Sequence, residues 1–269
     1  NVIADATGVL KTGNVGVFRV GQDALQTANA ILEKALYPAL DKAGISRNVI
    51  RILNSPERAT AWALFSNTKL NLAVARGSGG AVRLLGSIAQ SHGIPVSLHG
   101  TGGAWMMTSE STELDRLEHA IVGSLDRKVC NTVNTICILA SEFSQQWPVI
   151  ERALSTAGEL LGQEYKVHIE SGSQDRFSKD LFTKRVQVVR ADGVHEEPQF
   201  EIIERSGLGT EWEWEQTPEV TVVVVNSVDD GIALFNQYSP QFVASLVTQN
   251  QLELTAFFNA INAPFVGNG

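Results

Sequence analysis

Leu72-Ala73-Val74-Ala75-Arg76-Gly77-Ser78-Gly79-Gly80-Ala81-Val82-Arg83-Leu84-Leu85-Gly86-Ser87-Ile88-Ala89 reads as a buried strand, a glycine turn and a helix. That order is half of a parallel crossover unit, and the chain around it repeats the pattern. Upstream, residues 15–20 read as a strand and 23–42 as a helix closed by Gly44. Residues 48–53 form the next strand, 56–65 the next helix, and 70–75 the strand that feeds the turn. Downstream, the helix gives way near His92-Gly93 to a strand over 94–98. Three strand-to-helix units in a row predict a doubly wound parallel sheet. Glycines in such a turn let the backbone approach an anion, and the first free N–H groups of the helix point at it with the positive end of the helix dipole behind them. The third glycine of the usual dinucleotide fingerprint is absent. Two readings therefore stand for the turn: a phosphate cradle, or a tight connection without a ligand.

Composition narrows the class. A chain of 269 residues with 43% hydrophobic and 19% charged residues fits a globular protein of one or two domains. No apolar run approaches the ~20 residues needed to span a bilayer and no basic-then-apolar leader is visible, so no membrane partner and a cytoplasmic location are expected. Two cysteines and five scattered histidines give neither a disulfide framework nor a metal-ligand set, so no metal is expected. The formal net charge of −8 opposes attraction to a phosphate backbone, and nucleic acid is not expected as a partner.

A second block begins beyond His99-Gly100-Thr101-Gly102-Gly103, which places a domain boundary between residues 1–103 and 104–269. Here Trp105-Met106-Met107 reads as extended, 112–125 as helical and 135–139 as a buried strand. Pro148 suits the first turn of a helix running to Gly162, where its missing N–H costs nothing. Residues 165–218 are polar, acidic and poorly periodic outside 186–189, and read as an elaborated surface. Strands over 220–225 and 242–247 then alternate with helices over 228–237 and 252–261. Within the block, Asp126-Arg127-Lys128-Val129-Cys130-Asn131-Thr132 sets a thiol beside two cations. A thiolate is the reactive form and nearby positive charge favours it, so Cys130 is the candidate nucleophile, an inert surface turn being the alternative. Cys137 lies on an apolar strand and reads as core. Trp212 and Trp214 are spaced to share a strand face and read as packing.

With these residues placed, the sequence resembles the gamma-glutamyl phosphate reductase family, also called glutamate-5-semialdehyde dehydrogenases, within the aldehyde dehydrogenase superfamily. The resemblance runs over Asn1-Val2, Leu10-Lys11-Thr12-Gly13-Asn14, Phe18-Arg19-Val20-Gly21, Arg76-Gly77-Ser78-Gly79-Gly80, Ile94-Pro95-Val96, Val129-Cys130-Asn131, Thr210-Glu211-Trp212, Asn236-Gln237-Tyr238-Ser239 and Leu246-Val247-Thr248. It implies an aldehyde dehydrogenase-like α/β fold, with a doubly wound cofactor domain, incomplete here, and an α/β catalytic domain carrying the thiol. Against the family, the chain opens at the active-site asparagine and stops before the closing segment, which implies a piece of a longer protein. The family's cysteine-histidine pair is Ala104-Trp105 here, and its glutamate four residues after the nucleophile is Asn134. Those departures bear on substrate identity more than on fold.

The resemblance further implies NADPH-dependent reduction of gamma-glutamyl 5-phosphate to glutamate 5-semialdehyde, a step of proline biosynthesis. Cys130 would attack the acyl carbon and phosphate would leave, giving a thioester that hydride reduces to the aldehyde. The Cys130 N–H and the side-chain amide of Asn1 would hold the oxyanion. An oxidising member of the superfamily needs a carboxylate to activate water; the corresponding loop is Ser97-Leu98-His99-Gly100, with no acid, which favours phosphate over water as the acyl partner. His99 reads as a structural hydrogen bonder more readily than as a base. For NADP(H), the resemblance assigns Arg76, Gly77, Ser78 and Gly79 to the cofactor turn. Arg19 stands where a guanidinium would meet a ribose 2′-phosphate, a surface arginine being the alternative. Glu211 is either the ligand of the nicotinamide ribose or a solvated charge. Family members associate with copies of themselves, which makes a homo-oligomer the expected assembly. Two other readings remain open: an oxidoreductase of the superfamily that takes another acyl phosphate or an acyl thioester, and a non-catalytic binding module on the same fold.

Overall fold

Six of the seven residues in Glu219-Val220-Thr221-Val222-Val223-Val224-Val225 are buried, and four valines follow in direct succession. A strand apolar on both faces belongs in the middle of a parallel sheet covered on both sides. The computed structural model describes residues 2–190 and 192–269 and places this strand there. The chain divides into two compact units, Asn1–Gly100 and Thr101–Gly269.

The first unit contains α1 (Val2–Lys11), β1 (Gly16–Phe18), α2 (Gln22–Ile31), α3 (Tyr37–Lys42), β2 (Ile50–Ile52), α4 (Arg58–Phe65), β3 (Ala73–Arg76), α5 (Gly79–Ser91) and β4 (Val96–His99). The helix expected over 23–42 is real but passes through a π-helical stretch, Leu32–Leu36, between α2 and α3. Its strands are parallel as expected, yet they come as two separate pairs, β1 with β2 and β3 with β4, and not as one continuous ladder. Each pair carries its own small core. Ala6, Leu32, Tyr37, Leu40 and Ile50 pack around the first, and Phe65, Ala73, Ala75, Val82, Ala89 and Ile94 around the second.

The second unit contains β5 (Ala104–Thr108), α6 (Leu114–Ser124), β6 (Val133–Leu139), α7 (Phe143–Leu160), β7 (Lys166–Glu170), β8 (Arg185–Arg190), β9 (Gly193–Pro198), β10 (Phe200–Ile203), β11 (Glu219–Val225), α8 (Val228–Tyr238), β12 (Val243–Val247), α9 (Gln251–Ala260) and β13 (Phe265–Gly267). Seven of these strands form one parallel sheet in the order β10-β7-β11-β6-β5-β12-β13. Strand alternation splits its side chains between two cores. Met106, Ile136, Ile138, Val167, Val220 and Val222 meet residues of α6 and α7, whereas Trp105, Met107, Cys137, Val223 and Leu246 meet residues of α8 and α9.

Three expectations fail here. Residues 165–218 are surface only in part: β7 is fully buried, while β9, which pairs with β8 as an antiparallel hairpin, is largely exposed. The residues that misled are Lys166, His168 and Glu170, all buried and all paired. Pro148 is inside α7, not in its first turn, because the helix begins at Phe143. Phe143 and Trp147 stack in parallel at 6.2 Å and both set edges against Phe177, so aromatic packing outweighs the one helical bond that Pro148 forfeits. Trp212 and Trp214 share no strand face, since the chain from Thr210 to Pro218 is irregular.

Candidate thiol site

Cys130 lies in the turn that leads into β6, and its residue is exposed. Thr132 shapes that turn: its hydroxyl accepts the Val129 N–H at 2.9 Å and donates to the Arg127 carbonyl at 2.9 Å. The turn is tied to the glycine loop ahead of β5 by the Gly103 N–H, which donates to the Cys130 carbonyl at 2.8 Å. Ala104 donates in the same way to the Thr132 carbonyl at 2.9 Å. A Cβ on Gly102 would lie 2.5 Å from the Cys130 carbonyl oxygen and 2.8 Å from its Cα, so the approach of the two loops requires glycine.

The thiol turn therefore stands at the amino ends of β5 and β6. Open parallel sheets usually bind ligands at the carboxyl ends, where helix N-termini supply donors. Here the available donors are loop N–H groups and the Lys128 ammonium. That ammonium is already engaged. Lys128 Nζ sits 2.6 Å from Glu211 Oε1, with side chains only 7% and 15% exposed, and 3.9 Å from Glu213. The other carboxylate oxygen of Glu211 accepts the Gly102 N–H at 2.5 Å. One carboxylate thus joins the glycine loop, the thiol turn and the segment that follows Gly209. Glu211 is no solvated charge, and of the sequence candidates it is the one gathered with Cys130.

Asn134, the second residue of β6, holds the backbone on both sides of Glu211. Its Nδ2 donates to the Thr210 carbonyl at 2.8 Å and its Oδ1 accepts the Trp212 N–H at 2.9 Å. The Trp212 indole donates to Thr221 Oγ1 at 2.8 Å and stacks on the His168 ring, 3.6 Å between centroids at 10°. Asn134 was visible in the sequence only as a departure from the family glutamate. Its two bonds explain the amide, which can donate and accept at once where an ionised carboxylate can only accept. Trp105, the other departure, is fully buried edge-on to Phe235.

Behind Trp212 is a network of ions in which Lys166, His168 and Glu219 are buried. Lys166 Nζ meets Glu197 at 2.5 Å and Glu201 at 2.9 Å, and His168 Nε2 meets Glu219 at 2.7 Å. Arg190 bridges Glu197 at 2.7 Å and Glu219 at 2.8 Å. The Arg190 guanidinium, ahead of its own burial, pulls the Glu197 carboxyl down to about 2. Burial acts to raise Glu219, but the hydrogen bonds from His168 and Arg190 outweigh it and the carboxyl is held below its ordinary value. Cys137 is fully buried in the core, and burial pushes its thiol up.

The remaining candidates belong to the first unit, apart from Asn1, which lies outside the described residues. Arg76 Nη2 bonds Asp5 at 3.1 Å. Gly77 has φ +143, a conformation side chains rarely adopt, and donates its N–H to the His99 carbonyl at 3.3 Å. Ser78 caps α5 by position without a side-chain bond, so the N–H groups at Gly79 and Gly80 open the helix without a side-chain acceptor from Ser78. Arg19 donates to the Pro56 carbonyl through Nη2, while its Nε is buried and, among the described residues, has no acceptor. Among the described residues no His, Cys, Asp and Glu cluster could hold a metal, and no helix is long and apolar enough to cross a membrane.

A seven-stranded parallel sheet sandwiched by helices is an α/β fold shared with solved structures of a gamma-glutamyl phosphate reductase and a propionaldehyde dehydrogenase. The structure superimposes on crystallised gamma-glutamyl phosphate reductase from Thermotoga maritima with a TM-score of 0.72 at 21% identity, covering 97% of this chain and 56% of that one. An engineered glycolyl-CoA reductase with bound NADP+ matches with a TM-score of 0.68 at 18% identity, over 100% of this chain and 62% of the other. In sequence the chain is similar to the gamma-glutamyl phosphate reductases of Streptococcus suis (strain 05ZYH33), 26% identical over 93% of this chain and 53% of that protein. The Shewanella amazonensis enzyme is 27% identical over 96% of this chain and 55% of its own length. No family model matches. The chain thus spans about half the length of the curated relatives it matches.

Proposed function

We propose that the protein is an NADP-dependent oxidoreductase of the cytoplasm that reduces gamma-glutamyl 5-phosphate to glutamate 5-semialdehyde and phosphate, in proline biosynthesis. The observation that carries this reading is the exposed Cys130 turn, docked by its carbonyl on Gly103, in a chain whose relatives over nearly its whole length are named for that reaction. Cys130 as thiolate attacks the acyl carbon, the acyl–phosphate bond breaks and phosphate leaves with the electron pair, giving a thioester. NADPH, when bound, supplies the hydride that reduces it. The Cys130 N–H is the donor for the resulting oxyanion, whose collapse releases the aldehyde and restores the thiolate.

The residues of the first unit fit a dinucleotide. The opening of α5 presents N–H groups that Ser78 leaves uncapped beside Gly77 and Gly80, where an added Cβ would meet nothing within 4 Å. Gly77, Ser78 and Gly79 would hold a phosphate there. The orphaned Nε of Arg19 suits the 2′-phosphate of NADP(H), whereas Arg76 would first have to leave Asp5. Glu211 would take the nicotinamide ribose.

Substitution of the nucleophile tests the scheme. Cys130→Ser abolishes phosphate-dependent NADP+ reduction with glutamate semialdehyde while leaving the unfolding midpoint in place; undiminished turnover overturns the reading. A second reading, an acyl thioester as substrate, draws on the departures Ala104-Trp105 and Asn134. Activity with an acyl-CoA in place of the acyl phosphate would select it.

A further inference from the structure

We propose that Glu211 is a positioning residue that restrains the Cys130 thiol by sequestering Lys128, and that Asn134 sets Glu211 for this task. The inference rests on the reading of Cys130 as the nucleophile. Besides Lys128 and Glu211, the charged groups to weigh at the thiol turn are Asp126, Arg127 and Glu213. Arg127 and Asp126 face each other at 3.7 Å with side chains 76% and 59% exposed, and water screens both. Glu213, 77% exposed, approaches Lys128 only to 3.9 Å. Lys128 is different. Its ammonium is buried and lies 3.4 Å from the Val129 carbonyl, one residue before the cysteine. An unpaired cation two residues before the cysteine would favour the thiolate. Glu211 cancels it at 2.6 Å.

The carboxylate is placed by the backbone that Asn134 grips at Thr210 and Trp212, with Trp212 fixed in turn by Thr221 and His168. Whatever draws Glu211 away frees Lys128, so engagement of Glu211 by a ligand turns the thiol on.

The pH profile of iodoacetamide alkylation at Cys130, followed by mass spectrometry of its peptide, tests this without reference to turnover. Glu211→Gln keeps an acceptor for the Gly102 N–H, removes the charge, and moves the alkylation midpoint to lower pH by about half a unit to one unit. Adding Lys128→Met to that variant returns the midpoint to its starting value. Asn134→Leu, which removes both backbone bonds without adding charge, moves the midpoint in the same direction as Glu211→Gln. An unmoved midpoint in Glu211→Gln, or a shift that survives Lys128→Met, overturns the role of Glu211; an unmoved midpoint in Asn134→Leu overturns that of Asn134. Failure of the nucleophile reading shows separately, as turnover retained by Cys130→Ser.

Discussion

Gly102 tolerates no side chain, because a Cβ would strike Glu211 Oε1 and two backbone atoms of Cys130, and the backbone atoms cannot rotate out of the way. Gly102→Ala should therefore push the thiol turn off the glycine loop, costing about 1–3 kcal/mol in urea unfolding and breaking the Gly103 to Cys130 bond. Stability and turnover both unchanged would show that the two loops slide freely. The cysteines give a sharper check at the same scale. Native protein should take up iodoacetamide at Cys130 alone and at Cys137 only after unfolding, since Cys137 is fully buried and burial pushes its thiol up. The sequence separates these two thiols well: one sits among turn-forming polar residues, the other lies between Ile136 and Ile138 and alternates with Thr135 and Leu139 on one face of an apolar strand. Glu211 was harder to read. In a run of acids its burial depends on Lys128 and Gly102, both far from it along the chain.

At the level of elements, the same cause hid β7. Lys-Val-His-Ile-Glu alternates charge with apolarity and looks like a half-exposed strand, but carboxylates from β9, β10 and β11 pair with Lys166 and His168, and the guanidinium of Arg205 pairs with Glu170. By contrast, the valine run of β11 needs no distant partner to be recognised. Nor did Pro148 announce the true start of α7, because the aromatic contacts that extend the helix upstream are made with Phe177. The ion network has a measurable consequence. Glu197 and Glu219 have folded values below the unfolded 4.5, so their stabilisation is complete above that pH and is lost as pH falls towards about 2, the folded value for Glu197. Lys166 has the opposite sign: burial lowers it, Glu197 and Glu201 outweigh burial, and its contribution is full below 10.5 and lost above. Unfolding midpoints in urea should thus fall on both the acid and the alkaline side. Glu219→Gln, which removes the negative charge facing Arg190 and His168, should lower stability by about 1–3 kcal/mol at neutral pH and flatten the acid limb. An acid limb unaltered by that change would remove Glu219 from the account.

Across the whole molecule, stability should be unevenly distributed. The central strands β6 and β11 are flanked by neighbours on both edges and covered by a core on each face. The pairs β1–β2 and β3–β4 have two strands each, and Val17 and Val74 on them remain 40% and 45% exposed. Two-stranded sheets with one covered face are marginal by themselves. The alternation of strand and helix that made the first hundred residues the most legible part of the sequence therefore says little about their strength, because pattern records which face is apolar and not how much is covering it. Native-state hydrogen exchange should show the difference. Amides of β6 and β11 should exchange only through global opening, while those of β1 to β4 exchange at least about a hundredfold faster through local opening. Equal protection in both sets would mean that the four short strands share in the cooperative core, and the division of stability argued from their exposed valines would be wrong.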